Sequence, residues 1–454
     1  MPPLRCHLPA ALLSLLAIVL TSATQAAAEA GSTAPRWWKG NLHTHSLWSD
    51  GDDYPEMIAD WYKTKGYDFL ALSDHNVMQE GQRWLELKAP VSIGGSVQLR
   101  GGGAVLEAYL RRFGPDWVEF RESDGQRSVR LKPLAEYRSL LEEPGRFLLI
   151  PSEEVTASWK RPKTATTPEQ SGPVHINVTN PRDLLRPVES ERAADIMQRT
   201  LDAVRAQREK TGQAMIAHIN HPNFRWGITP EELMELKGDL FFEVYNGHPQ
   251  VENAGDAHHL GMDALWDAVL TRRIAELKLE PMFGVAVDDS HNYHTSDPTK
   301  SRPGLGWIMV RARHLTAESI IRALEAGDFY ATSGVVLSEV ARSGNRLSLT
   351  IQAEPGVSYR TVFIGTRRNY PSGSVELTPP VDPAAPRRTL PHRRYPAEIG
   401  AVLAESTGLT ASYTLRGDEL YVRAKIISSK PKRDGSAPGE WETAWTQPLL
   451  AARP

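Results

Sequence analysis

WWKGNLHTHS, residues 37–46, is a short apolar run that ends in residue types able to ligate metal. The same pattern recurs along the chain as YDFLALSDHN (67–76), FLLIPSEEV (147–155), VHINVTN (174–180), AMIAHINHPN (214–223), FFEVYNG (241–247) and MFGVAVDDSHN (282–292). Helical patterns separate several of these runs. Residues 54–65 have Asp53 as an N-cap and Pro55 in the first turn, 188–211 are charged and amphipathic, 261–278 follow, and 316–326 close at Gly327. Repeated strand–helix units predict parallel strands with crossover helices. Polar residues gathering at the C-terminal ends of nearly every strand favour an α/β barrel over a doubly wound open sheet, whose site collects at one crevice.

The pattern breaks twice. Residues 77–140 are Gly-rich and read as an insertion after the second strand, either a lid or substrate wall or a disordered linker. From about residue 336 to 454 the helical pattern disappears and strands such as RLSLTIQA (346–353), RTVFIGT (360–366) and ELYVRAKII (419–427) alternate with turn residues. That texture predicts a small all-β sandwich following a barrel over 37–335, with 370–398 as a long Pro- and Arg-rich loop.

Composition narrows the function classes. The 454 residues are 41% hydrophobic and 24% charged, ordinary for a globular protein, and the formal charge of -3 gives no electrostatic case for nucleic acid or anionic membranes. At the N-terminus, Arg5 precedes an apolar run at 10–20 and the small residues Ala26, Ala27 and Ala28. Residues 1–28 therefore read as a secretory signal peptide, with a retained membrane anchor as the alternative. Cleavage there predicts an exported protein, periplasmic or secreted, with no membrane span. The only cysteine, Cys6, would be removed, leaving any metal to His, Asp and Glu.

His43 and His45 are at i and i+2 on a strand, so both imidazoles face one side. Asp289 and His291 repeat that spacing. Asp50 precedes Gly51, whose tight turn can fold the carboxylate back; a turn-making role is the plainer use. His75 ends the second run beside Asp74, which is placed to orient an imidazole. Glu153 and Glu154 end a buried strand, where acids are costly unless paired, solvated or metal-bound. His175 alone reads as a core histidine. Of His218 and His221, Pro222 places His221 at the strand mouth. So many N and O donors exceed the needs of one ion and fit two or three divalent metal ions, Zn²⁺, Mn²⁺ or Fe²⁺.

In this order the residues resemble the PHP (polymerase and histidinol phosphatase) superfamily of metal-dependent phosphoesterases. HINVTNPR (175–182) and FFEVYNG are similar to strings of its exported, carbaryl-hydrolase-like branch. The resemblance implies a distorted (β/α)7 barrel and a metal set of His43, His45, Asp50, His75, Glu154, His175, His221, Asp289 and His291. Ser152, Val287 and Asp288 stand where the family carries small residues. It further implies a metal-activated water that cleaves a small-molecule phosphoester. His218, or Asp74 through an imidazole, would manage protons, and Arg225, Arg302 and Lys39 would hold an anionic substrate. Carboxylic or carbamate ester hydrolysis on the same site, and a non-catalytic metal-stapled binding protein, are the competing readings. The chain lacks G-x-S-x-G and G-x-x-x-x-G-K-[ST] motifs, which removes support for serine esterases and P-loop enzymes.

Overall fold

A computed structural model describes residues 34–87, 90–93, 96–99, 101–164, 169–238, 241–377, 392–432 and 440–452. The signal-peptide reading of residues 1–28 lies outside them, as does much of the loop expected at 370–398. Strands that bear on the site are β1 (Arg36–Asn41), β2 (Phe69–Leu70), β3 (Leu148–Leu149), β4 (Ser152–Arg161), β5 (Gln170–Thr179), β6 (Ile216–Ile219), β7 (Phe241–Asn246) and β8 (Phe283–Val287). The chain continues through β9 (Trp307–Ala312) and β10 (Phe329–Thr332), then β11 (Leu337–Ser343), β12 (Arg346–Ile351), β13 (Tyr359–Arg367), β14 (Ala401–Thr407), β15 (Thr410–Thr414), β16 (Glu419–Pro431) and β17 (Trp441–Thr446). Helices α1 (Pro55–Thr64), α2 (Ala193–Thr211), α3 (Met262–Arg272) and α4 (Ala317–Glu325) fall within the ranges expected from periodicity.

The fold is mixed α/β. One large sheet runs β14-β13-β16-β17-β10-β9-β1-β2-β3, and a five-stranded sheet runs β8-β7-β6-β5-β4. The parallel pairs are β1–β2, β2–β3, β6–β7 and β7–β8. There are two departures from a uniform strand–helix repeat. β4 and β5 are antiparallel, because the eight residues between Arg161 and Gln170 are too few for a crossover helix. β6 is antiparallel to β5 although α2 lies between them. The sheets meet at the ends that carry the polar residues, through single bridges between Thr44 and Ser290 and between His75 and Glu154.

Apolar faces hold this arrangement. Met215, Ile219, Phe242, Trp266 and Met282 are all buried in one cluster under α2 and α3. Each side chain of this size contributes about 1.5–3 kcal/mol by leaving water. The indole of Trp266 donates to Met282 O at 2.8 Å, which satisfies its one polar atom. Asp53 does not cap α1. Tyr54 is the cap residue, without a side-chain bond to the helix, while Asp53 accepts from Tyr54 N and pairs with His294 at 3.1 Å.

Residues 77–140 form a three-stranded antiparallel sheet (Arg83–Glu86, Gln126–Leu131, Phe120–Ser123) with helices Ala104–Phe113 and Leu134–Leu141. The ring of Tyr109 stacks on Tyr54 at 4.0 Å, and its hydroxyl donates to buried Glu56 at 2.6 Å. The insertion is thereby fastened to the start of α1.

Beyond residue 335, β13, β14, β16 and β17 extend the large sheet, with β17 beside β10, while β11, β12 and β15 form a separate three-stranded sheet. Gln447 clamps β8, accepting from Gly284 N at 2.9 Å and donating to Gly284 O at 2.8 Å. Arg423 on β16 is fully buried and donates to both carboxylate oxygens of Asp267 on α3, at 2.8 and 2.6 Å, with Asp263 3.1 Å away. Removing one partner from a buried ion pair strands the other charge. Arg423→Ala is therefore expected to cost about 3–5 kcal/mol in urea unfolding; a change within about 0.5 kcal/mol, the scale of a plain surface substitution, would show that these contacts do not hold α3.

Candidate metal centre

Beyond Asn41 the chain stays extended, with His45 N bonded to Ser290 O and Asp289 N to His43 O, both at 2.9 Å. This pairing sets the His43–His45 segment against the Asp289–His291 segment. His43 Nε2 and His45 Nε2 approach to 3.1 Å, and both lie 3.2 Å from Asp289 Oδ1. Gly51 makes the return of Asp50 possible, since a Cβ there would lie 2.4 Å from His45 O. Asp50 Oδ1 thereby comes within 3.4 Å of His291 Nε2, 3.5 Å of His75 Nε2 and 3.7 Å of His45 Nδ1.

Glu154 is the hub. Its buried carboxylate lies 2.6 Å from His75 Nδ1, 3.1 Å from His175 Nδ1, 3.4 Å from His45 Nε2, 3.5 Å from His43 Nε2 and 3.8 Å from His221 Nε2. His45, Asp50, His75 and His291 converge as one group. His43, His221 and Asp289, then His43, His45 and Glu154, then Glu154, His175 and His221 converge as others. All nine donors selected from the sequence fall within these overlapping groups.

Around them a layer of hydrogen bonds sets tautomers. Glu243 Oε1 lies 2.6 Å from His43 Nδ1, and its Oε2 accepts from His221 N at 2.7 Å and Asn246 Nδ2 at 2.8 Å. With the carboxylate ionised, His43 Nδ1 donates to Glu243, and Nε2 is the nitrogen that faces the cluster. His291 Nδ1 donates to Asp289 O at 2.9 Å, which leaves His291 Nε2 for Asp50. Asn220 Nδ2 donates to Glu154 Oε1 at 2.8 Å. Two of the candidate donor positions carry backbone strain, His221 at φ 23° and Asp289 at φ 50°. Such conformations cost on the order of 1–3 kcal/mol and cluster at functional sites.

The electrostatics are those of a buried cluster of carboxylates and imidazoles that compensate one another. Burial alone would raise the carboxyl of Glu154 and lower the imidazole of His43, yet mutual attraction reverses both. Glu154 is held well below the carboxylate range by His75, His175 and His43, and Asp289 by His43 and His45. Burial is likewise outweighed at His291, which Asp50 raises to about 9, and at His75, which Glu154 and Asp50 raise. His45 falls to about 4, from burial and from repulsion by His291 and His75. Two imidazole nitrogens 3.1 Å apart need a proton or a cation to share. All-N/O donors in overlapping sets of three and four suit borderline divalent ions.

Other sequence-selected residues are placed differently. Asp74 touches no imidazole. It accepts from Ser46 N, Ser46 Oγ, Ser49 Oγ and Gln79 Nε2, and so fixes the loop after His45, with Ser49 Oγ in turn 3.3 Å from His45 Nδ1. His218 is fully buried behind His43, 3.2 Å from Glu243, out of reach of a substrate in the cleft. Lys39, four residues before His43, sits a strand length away between the rings of Tyr67 and Trp307, and burial lowers it to about 8. Arg302 is buried and donates to Ser296 O at 3.1 Å. Arg225 does reach the cleft, which has a volume of about 620 Å³ and is lined by Asp50, His75, Glu154 and Asp289. None of the described residues of the 77–140 insertion lines it.

The sequence reading missed His248 and Lys300, while Glu243, which it offered as either a support behind the ligands or a plain strand-end acid, takes the supporting place. His248 lines the cleft with its ring 5.6 Å from that of His291. Its only signal was a histidine two residues past a strand end. Lys300 lines the same cleft from a loop with no pattern of its own.

No protein-family profile matches this chain, and no curated protein matches it. Among solved structures it is similar to a two-domain protein from Bacteroides vulgatus containing a predicted PHP-like metal-dependent phosphoesterase. The two are 15% identical over 91% of this chain and 95% of that chain, with a TM-score of 0.35.

Proposed function

We propose that this protein is a metal-dependent hydrolase of the PHP type that cleaves small-molecule phosphoesters. The observation that carries the reading is Glu154, a buried carboxylate within 3.8 Å of five histidines at the floor of an open cleft. His45, Asp50, His75 and His291 would hold one cation, and His43, His175, His221, Glu154 and Asp289 one or two more. When bound, divalent ions of this kind supply Lewis acidity and an acidified water near neutral pH. The protein's own residues do the rest. Glu243 fixes the His43 tautomer, Asp74 and Ser49 hold the His45 loop, and Arg225 and Lys300 at the cleft give an anionic substrate its counter-charge.

In this reading, β1, β2, β3 with β4, and β5 to β8 form a distorted seven-stranded barrel. The Thr44–Ser290 and His75–Glu154 bridges support it as the points where the two sheets join. The apolar N-terminal run supports export, and no described helix is long and apolar enough to cross a membrane. Carboxylic or carbamate ester hydrolysis is the second reading, on the resemblance of residues 175–182 and 241–247.

Protein lacking residues 1–28 is to be assayed with paired aryl phosphate and aryl carboxylate or carbamate esters, metal-free and with Zn²⁺, Mn²⁺ or Fe²⁺. Phosphate turnover that requires metal and disappears in a His43→Ala, His45→Ala variant is expected. A preference for the carboxyl ester selects the second reading, and metal-independent turnover rejects both.

Glu243→Gln should weaken metal binding by roughly 10–100-fold while keeping all nine donors, because it removes the charge that fixes His43; unchanged affinity in a chelator competition would show that Glu243 only fills space. The raised His43, His75 and His291 hold protons at neutral pH in the metal-free state, and a bound cation must displace them. Zinc loading at pH 7 should therefore release protons, read by calorimetry in buffers of different ionisation enthalpy, and affinity should rise with pH toward about 9, where His291 titrates. Buffer-independent heats would contradict this.

A further inference from the structure

His248 lies two residues past the end of β7 and lines the metal-centre cleft, yet among the described residues no converging donor group includes it. Its backbone is tied to the layer behind the donors. His248 N donates to Asn246 Oδ1 at 2.7 Å, and Asn246 Nδ2 in turn donates to Glu243 at 2.8 Å and to Asp289 at 3.1 Å. Val251 N donates to His248 O at 3.0 Å. Gly247 lets the chain pass at this point, since a Cβ there would lie 2.8 Å from the Leu305 side chain and 3.0 Å from Asp288 O. The imidazole makes T-shaped contacts with Phe224 and His291, with ring centroids 6.0 and 5.6 Å away. The ring is therefore held on both its backbone and its flanks.

Its protonation is the reverse of that of its neighbours. The backbone N–H of Gln250 donates to His248 Nδ1 at 3.1 Å. A backbone amide nitrogen only donates, so Nδ1 is the acceptor and the proton of the neutral ring sits on Nε2. In His43 and His291 it is Nδ1 that meets an acceptor, Glu243 Oε1 and Asp289 O, which leaves Nε2 for a cation. For His248 to ligate through Nε2, its proton would have to move to Nδ1 and oppose the Gln250 N–H. That bond keeps His248 out of the metal set beside which it stands. The two nitrogens of an imidazole diverge, so Nε2 turns away from Gln250, and it has no hydrogen-bond partner among the described residues. A neutral N–H donor is thus presented at the wall of the cleft.

We propose that His248 is a catalytic residue whose Nε2–H donates a hydrogen bond to a non-leaving oxygen of the reacting group, a phosphoryl oxygen or the carbonyl oxygen of a carboxyl ester. This rests on the hydrolase reading and deepens it. An oxygen that carries negative charge while water attacks is stabilised by a donor already fixed in place, because nothing has to reorganise during the reaction. Giving the proton up would leave an imidazolate. His248 therefore lends a hydrogen bond and transfers no proton, and it is not the acid for the leaving group.

His248→Asn and His248→Gln separate the two ring nitrogens. The asparagine carbonyl can still accept from Gln250 N, but its side chain stops short of the Nε2 position, where glutamine places an N–H. Both are compared with wild type as zinc-loaded proteins of confirmed fold, by calorimetry with inorganic phosphate and, in parallel, acetate. The tighter-binding anion should bind roughly 10–100-fold more weakly to His248→Asn, the worth of one hydrogen bond to a charged group, and nearly as well as wild type to His248→Gln. Turnover of the preferred ester should fall roughly 100–1,000-fold in His248→Asn, with most of it kept in His248→Gln, and zinc content should be the same in all three. Loss of zinc in either variant would make His248 a ligand and overturn the proposal. Anion affinity equal in wild type and His248→Asn, equal losses in both variants, or no anion binding by the wild type would overturn it too. Wild-type protein that turns over no ester overturns the hydrolase reading, and the anion comparison still decides whether His248 is the donor.

Discussion

The buried carboxylate of Glu154 cannot stay ionised at the floor of this cleft without positive charge around it, and the surrounding structure answers that need. Isolating a carboxylate in low dielectric costs far more than any single hydrogen bond returns. Five imidazoles from β5 and from the segments following β1, β2 and β6 converge on it, and Asp289 and Asp50 hold the outer ones from the far side. The donors are drawn from the ends of different strands, so the site exists only when both sheets are assembled and meet at Thr44–Ser290 and His75–Glu154. Folding and assembly of the charge cluster are therefore one event, and cations that bind the native state add to its stability.

The layer behind the donors is as specific as the donors. Glu243 ties His43, His218 and His221 N together, and Asn246 links Glu243 to Asp289 at 2.8 and 3.1 Å. The strands beyond residue 335 reach this layer indirectly, through Gln447 on both backbone groups of Gly284 in β8, five residues before Asp289. Their Arg423 anchors α3, which packs on β7, the strand carrying Glu243. The C-terminal strands thus brace β8, which leads into Asp289, and β7, which carries Glu243.

Much of the site was legible in the sequence because its geometry is local. His43 with His45, and Asp289 with His291, follow from the two-residue period of a strand, and Gly51 announces the turn that returns Asp50. What stayed hidden depends on long-range placement. That Lys39 lies between Tyr67 and Trp307, and that His218 backs His43 instead of facing a substrate, are decided by neighbours far along the chain. The insertion at 77–140 gave a Gly-rich signal that does not say which face it covers; its described residues pack on α1 and do not line the cleft. The antiparallel turn from β4 to β5 was readable in principle from its short connection, but the regular spacing of apolar runs on either side masked it.

The central claim is that these residues form a metal centre organised on Glu154. Its most direct measurement is the metal content of protein equilibrated with zinc and freed of excess, by elemental mass spectrometry, for the wild type and a Glu154→Ala variant of confirmed fold. The account predicts two or more tightly held ions per wild-type chain and loss of at least one in the variant. Less than one ion per wild-type chain, or the same content in both proteins, would contradict it.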